Sequence, residues 1–207
     1  MIYKIVNAIH NDLLVCFPTE TIYALACNAL NSNAIEKIYQ VKKRSRSKPL
    51  SIFVNDIYNL TKVAKLDKKY ISLVSHFSPG PITYILPLKN NNILPNEFFK
   101  DSIGVRIPSH PIAISILNRL KTPIVATSMN ISGERGVYKA SDIPELIKRH
   151  LSAVAENDEL VSGVESTIID LTQDKIKVIR EGIISLQMVS SILLNRDYRK
   201  DERCNRS

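Results

Sequence analysis

Three cysteines in 207 residues are too few, and too oddly spaced, for a disulfide framework or a zinc site. Ten residues separate Cys16 from Cys27 and Cys204 lies in a polar terminal stretch, so a reducing cytoplasm is the expected compartment. Cys16, inside an apolar run, reads as a small buried hydrophobe. No apolar run reaches the length of a membrane span, and no basic stretch with a long apolar core opens the chain. Neither a membrane protein nor a signal peptide is expected. Glycine-rich phosphate loops are missing too: there is no Gly-x-Gly-x-x-Gly and no P-loop. Nor is there a Gly-x-Ser-x-Gly elbow, and none of His10, His76, His110 and His150 adjoins an evident nucleophile. That argues against a histidine-based triad. His10 and His150 sit among polar residues and read as surface groups, while His110, before a proline, reads as a helix cap. His-Glu-x-x-His, Cys-x-x-Cys and Asp-x-Asp-x-Asp are all absent, so no dedicated metal cage is expected.

What is present is positive charge. The chain carries a formal +8, which points to anionic partners. Part of the excess falls in Asn195–Ser207, a stretch with four Arg and one Lys against two Asp and one Glu. With little to bury, it is expected to be a disordered tail. The denser signal is Lys42-Lys43-Arg44-Ser45-Arg46-Ser47-Lys48, five cations in seven positions, directly before the apolar run Pro49–Val54. Such a cluster is either a receptor for a triphosphate or nucleic-acid backbone, or a solvated helix end.

Strand and helix patterns alternate along the chain, which predicts an α/β fold. Leu13–Phe17 runs into Pro18-Thr19-Glu20-Thr21, and Pro123–Thr127 runs into Ser128-Met129-Asn130. Two apolar strands thus end in small hydroxyl and amide side chains, as a ligand site at strand ends requires. Helices are predicted after an Asn33-led capping box with Ile35, Ile38 and Tyr39, after Asp56, after Asp67, from Pro111, around Glu145–Leu151 and over about Ser185–Leu194. Further strands are predicted at Ile82–Leu86, Ile103–Ile107, Ser166–Leu171 and Lys175–Arg180. The loop from Ser128 to about Ala140 is long enough to be functional. With 44% hydrophobic residues and no linker, residues 1–194 are expected to form one domain.

Arg106 in Val105-Arg106-Ile107 and Arg180 in Val178-Ile179-Arg180 each point away from their apolar neighbours in a strand. They are either anion ligands or strand arginines reaching to water. Thr19 and Thr21, like Ser128 and Asn130, share one side of an extended segment, and Glu20 lies between the first pair. Turn chemistry explains such residues equally well. From residue types alone the chain is an anion-binding α/β protein.

At these residues the chain resembles the threonylcarbamoyl-AMP synthase family (the YrdC type), most of all its single-domain bacterial form. The matching segments are Phe17-Pro18-Thr19-Glu20-Thr21-Ile22-Tyr23, Lys42-x-Arg44-x-x-x-Lys48-Pro49-Leu50, Ser78-Pro79-Gly80-Pro81-Ile82-Thr83, Val105-Arg106-Ile107-Pro108, Ala126-Thr127-Ser128-Met129-Asn130-Ile131-Ser132-Gly133, Ser162-Gly163-Val164-Glu165-Ser166-Thr167-Ile168 and Ile179-Arg180-Glu181-Gly182. They occur in order from Leu13 to about Gly182. The resemblance implies a twisted mixed sheet with flanking helices around a large basic cavity. It implies a nucleotidyltransferase that makes threonylcarbamoyl-AMP and pyrophosphate from L-threonine, bicarbonate and ATP. That product serves the threonylcarbamoyl-adenosine modification of tRNA, through a downstream tRNA threonylcarbamoyl transferase, with a weak tRNA contact as a further expectation.

Carried over residue by residue, Thr21, Arg106 and Ser166 hold threonine, with backbone help from Ala126 and packing from Phe53. Lys42, Arg44, Lys48, Ser128, Asn130 and Arg180 hold ATP as its Mg²⁺ complex, and Gly136 belongs to a loop that closes over it. Lys42, Arg44 and Lys48 carry the charge stabilisation; no protein nucleophile is required. The chain departs from the family at Ala24, Ala26 and Lys43, where glycine is usual, and at Met129, where alanine is common. A glycine needed for positive φ makes the turn after Tyr23 the place expected to differ. Two rivals stand beside this reading. One is a non-catalytic RNA-binding module using the same cavity, although no aromatic-interleaved RNA signature is present. The other is a carbamoyltransferase module of the hydrogenase-maturation kind, whose acylphosphatase partner and Cys-x-x-Cys motifs are absent.

Overall fold

A computed structural model describes residues 1–89 and 93–192; the expected tail, 195–207, lies outside these residues, as does the end of the helix expected to reach Leu194. Among the described residues nine strands form one mixed sheet: β1 (Val15–Pro18), β2 (Tyr23–Asn28), β3 (Ser51–Phe53), β4 (Ile82–Pro87), β5 (Ser102–Arg106), β6 (Ile124–Ser128), β7 (Ala153–Val154), β8 (Thr167–Asp170) and β9 (Lys177–Arg180). Their order is β7-β1-β2-β6-β3-β5-β4-β8-β9. The helices are α1 (Ile2–His10), α2 (Ser32–Lys42), α3 (Ile57–Val63), α4 (Ile71–Phe77), α5 (Pro111–Leu120) and α6 (Glu145–Lys148), with a further helical segment over 186–192.

Each face of the sheet has its own core. Leu25, Cys27, Ile52, Tyr84, Val105 and Val125 pack with α2, α3 and α4 on one side. Val15, Phe17, Ala24, Ala26, Phe53, Ile124 and Ala126 pack with α1 and α5 on the other. Because successive strand residues alternate faces, the second set marks the side on which a partly covered floor remains. Cys16 and Cys27 are buried, and burial pushes both thiols up. They fill space as small hydrophobes.

Capping explains most boundaries. Asp56 accepts from Asn59 N at 2.6 Å, Asp67 from Lys69 N at 2.9 Å, and His110 Nδ1 from Ile112 N at 3.2 Å, with Pro111 in the first turn. The α2 cap is Asn31, however, not Asn33: its Oδ1 accepts from Ala34 N at 3.0 Å while its Nδ2 is held by Asp12 Oδ2 at 2.6 Å. That tertiary bond chose between two asparagines which sequence alone makes equivalent. No turn follows Tyr23. Ala24 and Ala26 lie in β2, and neither adopts positive φ. Lys43, the third site where the family has glycine, does adopt it: it caps α2 at φ 51° and ψ 42° and is exposed. An L-residue there carries a left-handed cost that glycine avoids, so Lys43→Gly should stabilise the fold by roughly 0.5–1 kcal/mol. An unchanged or lowered urea midpoint would contradict this.

Candidate active site

A cavity of about 160 Å³ opens on the less covered face. Its floor is the sheet face rather than the strand ends. Ala24, Ala126, Ser128, Ser51, Phe53, Arg106, Thr83 and Ile168 come from neighbouring strands and all line it. The registers place Ala24 opposite Ser128, Ser51 opposite both Ala126 and Gly104, Phe53 opposite Arg106 and Thr83 opposite Ile168. Small side chains here keep the floor low: a Cβ at Gly104 would stand 3.0 Å from Ser51 Oγ.

One wall is the Thr19–Ile22 turn between β1 and β2. Thr19 Oγ1 donates to Ile22 O at 2.6 Å and lies 2.7 Å from Thr21 Oγ1. The opposing segment is hung on this turn, for Ser162 N donates to Glu20 O at 3.2 Å and Gly163 N to Thr21 O at 2.8 Å. Glu165 and Ser166 are thereby brought to the cavity edge.

Arg106 is buried at the centre. Its Nη2 donates to Glu20 Oε1 at 2.8 Å and to Thr21 Oγ1 at 2.9 Å, its Nε reaches Gly80 O at 3.4 Å, and the guanidinium lies 5.4 Å over the Phe53 ring. Nη1 has no partner among the described residues, so one arm is left for a ligand. Glu20 is fully engaged: its other oxygen accepts from Ser109 N at 3.1 Å and His110 N at 3.3 Å. Burial alone would push Glu20 up. The Arg106 charge and these hydrogen bonds outweigh it and hold the carboxyl below the usual carboxylate range.

Ser166 Oγ lies 3.1 Å from Thr83 Oγ1 and accepts from Arg180 Nη2 at 3.1 Å; Arg180 Nε donates to Ser166 O at 3.0 Å and Nη1 to Glu165 Oε2 at 2.5 Å. Arg106 and Arg180 therefore both line the cavity and are held there by hydrogen bonds, not spread into water. Arg180 is joined to Ser166, so the two do not separate into independent subsites.

The basic cluster is divided by its geometry. Lys42 follows Ile35, Ile38 and Tyr39 on the buried stripe of α2 and is fully buried itself. Its Nζ donates to Ser128 O, to Asn130 O at 2.7 Å and to Asn130 Oδ1 at 2.8 Å. Serving all three acceptors at once takes three N–H donors, which the ammonium form has and the neutral amine lacks. Burial first, and then the Arg44 charge, push this lysine down to about 7, with Glu165 opposing. Arg44 lines the cavity, braced by Lys48 O at 3.0 Å and Pro49 O at 2.9 Å. Arg46 lies 5.1 Å over the Phe98 ring and pairs with Glu36. Lys48 is exposed and does not line the cavity.

Lys42 and Asn130, both expected among the ATP ligands, therefore do not line the cavity and stand behind Ser128. Asn130 accepts from Ser128 Oγ at 2.6 Å and donates to Glu134 O at 2.7 Å, so its side chain turns into the loop. Met129 is buried in the larger core and does not line the cavity. Gly136 packs on Ile22, whose Cδ1 would stand 2.5 Å from an added Cβ. Thr83, Ser51 and Glu165 are lining residues to which no role was assigned from sequence. The strand alternation beside Thr83 and Ser51 was the available signal.

Two of the cavity's arginines have carboxylates, Arg106 with Glu20 and Arg180 with Glu165. Arg44 has none among the described residues. One end is thus charge-balanced and suited to a zwitterion, and the other carries net positive charge suited to a polyanion. Among these residues no three His, Cys, Asp or Glu side chains are grouped as metal ligands, and no helix is long and apolar enough to cross a membrane.

A family model described as "Telomere recombination" (Sua5/YciO/YrdC) matches residues 7–182. A putative threonylcarbamoyl-AMP synthase of Methanocaldococcus jannaschii is 36% identical over 182 residues, which cover 87% of this chain and 84% of that one. The threonylcarbamoyl-AMP synthase of Pyrococcus abyssi is 34% identical over 188 residues, covering 89% of this chain but only 55% of its own. The crystal structure of P. abyssi Sua5 complexed with L-threonine superposes with a TM-score of 0.87 at 33% identity, over 92% of this chain and 56% of that one. This chain therefore spans about half the length of the Pyrococcus protein. It belongs to the Sua5/YciO/YrdC family.

Proposed function

We propose that this chain condenses L-threonine, bicarbonate and ATP into threonylcarbamoyl-AMP and pyrophosphate. The observation that carries the reading is the cavity: a free arm on a buried arginine, ringed by Thr21 and Ser166, with the cationic Arg44 at the other end. A relative of the same fold has been crystallised with L-threonine. In this reading the amino acid's carboxylate meets Arg106 Nη1, and Thr21 and Ser166 supply neutral hydrogen bonds. Ala126 and Phe53 line its apolar side. The triphosphate, entering with Mg²⁺, lies across the mouth toward Arg44 and Ser128, with Arg180 between the two ligands. Lys42 and Asn130 hold Ser128 in place from beneath. The neutral amine attacks the carbon of bicarbonate and water leaves, giving N-carboxythreonine, whose new carboxylate attacks the α-phosphorus while pyrophosphate leaves. Proximity and cationic stabilisation supply the catalysis. The product would pass to the tRNA threonylcarbamoyl transferase machinery.

Incubation of the protein with ATP, Mg²⁺, bicarbonate and labelled threonine should yield threonylcarbamoyl adenylate together with pyrophosphate. A purified, folded protein that forms neither would overturn the proposal. Serine, which lacks the methyl group, should be used roughly 10- to 200-fold less well. Arg44→Ala removes a charge-assisted phosphate contact of about 1.5–3 kcal/mol and should lower kcat/KM by tens of fold. Lys48→Ala, at an exposed position, should change it by less than about fivefold. Equal losses in the two variants would mean that the phosphates track the outer surface of the cluster.

A further inference from the structure

We propose that Glu165 receives the α-ammonium group of the amino-acid substrate, making it a specificity-determining residue of the charge-balanced end. The inference rests on the proposed use of an amino acid.

A zwitterion bound through its carboxylate at Arg106 still has a cation to place. Leaving an ammonium group without an anionic or strong acceptor partner in a confined site is costly. Two carboxylates stand at this end of the cavity. Glu20 has no capacity left: one oxygen takes Arg106, the other takes Ser109 N and His110 N. Glu165 uses only Oε2, which accepts from Arg180. Its Oε1 has no partner among the described residues, and Glu165 is the one carboxylate among the residues that line the cavity. Its neighbour Ser166 links it to Thr83 and Arg180 on the floor. The pair Arg180–Glu165 is also more open than Arg106–Glu20, with side chains 38% and 39% exposed against 5% and 13%. A ligand can therefore reach and share the Glu165 carboxylate without breaking a buried contact.

The test is a binding titration with L-threonine and with pyrophosphate, the second probing the cationic end. Glu165→Gln should weaken threonine roughly tenfold to a hundredfold. It should leave pyrophosphate unchanged or tighten it, since Arg180 loses its counter-ion. Glu165→Asp, which keeps the charge, should recover most of the threonine affinity. A merely structural role, in which Glu165 orients Arg180, predicts parallel losses for both ligands, and that result would overturn the assignment. So would unchanged threonine binding in Glu165→Gln. A comparison needing no variant uses 2,3-dihydroxybutanoate, the hydroxy acid that replaces the ammonium. The unaltered protein should prefer threonine by at least about tenfold, and equal affinities would overturn the assignment. If the unaltered protein binds no threonine at all, the proposed function falls together with this inference. Threonine binding that survives Glu165→Gln removes the inference alone.

Discussion

Arg106→Ala is expected to lower stability by roughly 3–5 kcal/mol at neutral pH and to reduce threonine-dependent turnover by more than about a hundredfold. The two losses have one origin. Arg106 balances Glu20 beneath the cavity and offers its remaining arm to the ligand. Its removal leaves a buried carboxylate with only the Ser109 and His110 amides. The sign of the pH dependence separates this from a simple loss of packing. Glu20 is held below its free value of 4.5 in the folded protein. It therefore contributes stability that is complete above about 4.5 and is lost as the pH falls through the folded value. Without Arg106, burial dominates and raises the Glu20 pKa, so protonation should stabilise the variant. The stability gap between the two proteins should begin to narrow above 4.5, where the variant's Glu20 takes up its proton, and go on narrowing below 4.5 as the unaltered protein's Glu20 is protonated. A gap that stays constant with pH would show that the guanidinium's charge is not what Glu20 depends on.

Lys42→Met is the second large effect. It leaves Ser128 O, Asn130 O and Asn130 Oδ1 without the donor they share. An orphaned buried acceptor costs about 1–3 kcal/mol, partly offset because no charge then has to be desolvated. A net loss of roughly 3 kcal/mol is expected. Ser128 should shift with the turn, so turnover should fall further than in Lys48→Ala. Faster amide exchange at Ser132, whose N–H donates to Lys42 O at 2.9 Å, would report the loosened turn directly. The lysine's folded value of about 7 lies below its free value of 10.5. Between these limits the unfolded chain holds the proton and the folded one releases it, so stability should climb with pH. The climb should be missing in Lys42→Met. If both proteins have the same slope and stability, Lys42 does not hold this turn.

These two residues also show how much of the fold and the site is legible in the sequence. The strand ends at Phe17 and Thr127, the caps at Asp56 and His110 and the strand positions of Arg106 and Arg180 follow from local patterns. Each is set by neighbours within a few residues. β2 was missed because Tyr-Ala-Leu-Ala-Cys-Asn is buried almost throughout and has no two-residue alternation. α1 was missed although Ile2, Ile5, Val6 and Ile9 follow helical spacing. β7 is two residues long and exists only through its parallel pairing with β1. The basic cluster looked uniform as a sequence. Helix geometry put Lys42 on the buried stripe, left Lys43 as the left-handed cap, aimed Arg44 at the cavity and laid Arg46 on Phe98. The spacing from Ile35 through Ile38 to Lys42 was the signal that could have identified the buried member.

By itself the sequence determined the α/β class, the ordered family segments and the kinds of group in the site, because these depend on residue type and short-range periodicity. Only the tertiary structure decided which of those groups meet. Glu20 and Arg106 are 86 residues apart and Lys42 and Asn130 are 88. Their contacts exist because the sheet order sets β5 and β6 on either side of β3 and packs the end of α2 beneath the turn after β6. Whether a cation faces a ligand, a carboxylate or a carbonyl is a matter of register and packing. A one-residue slip in a strand would reverse it.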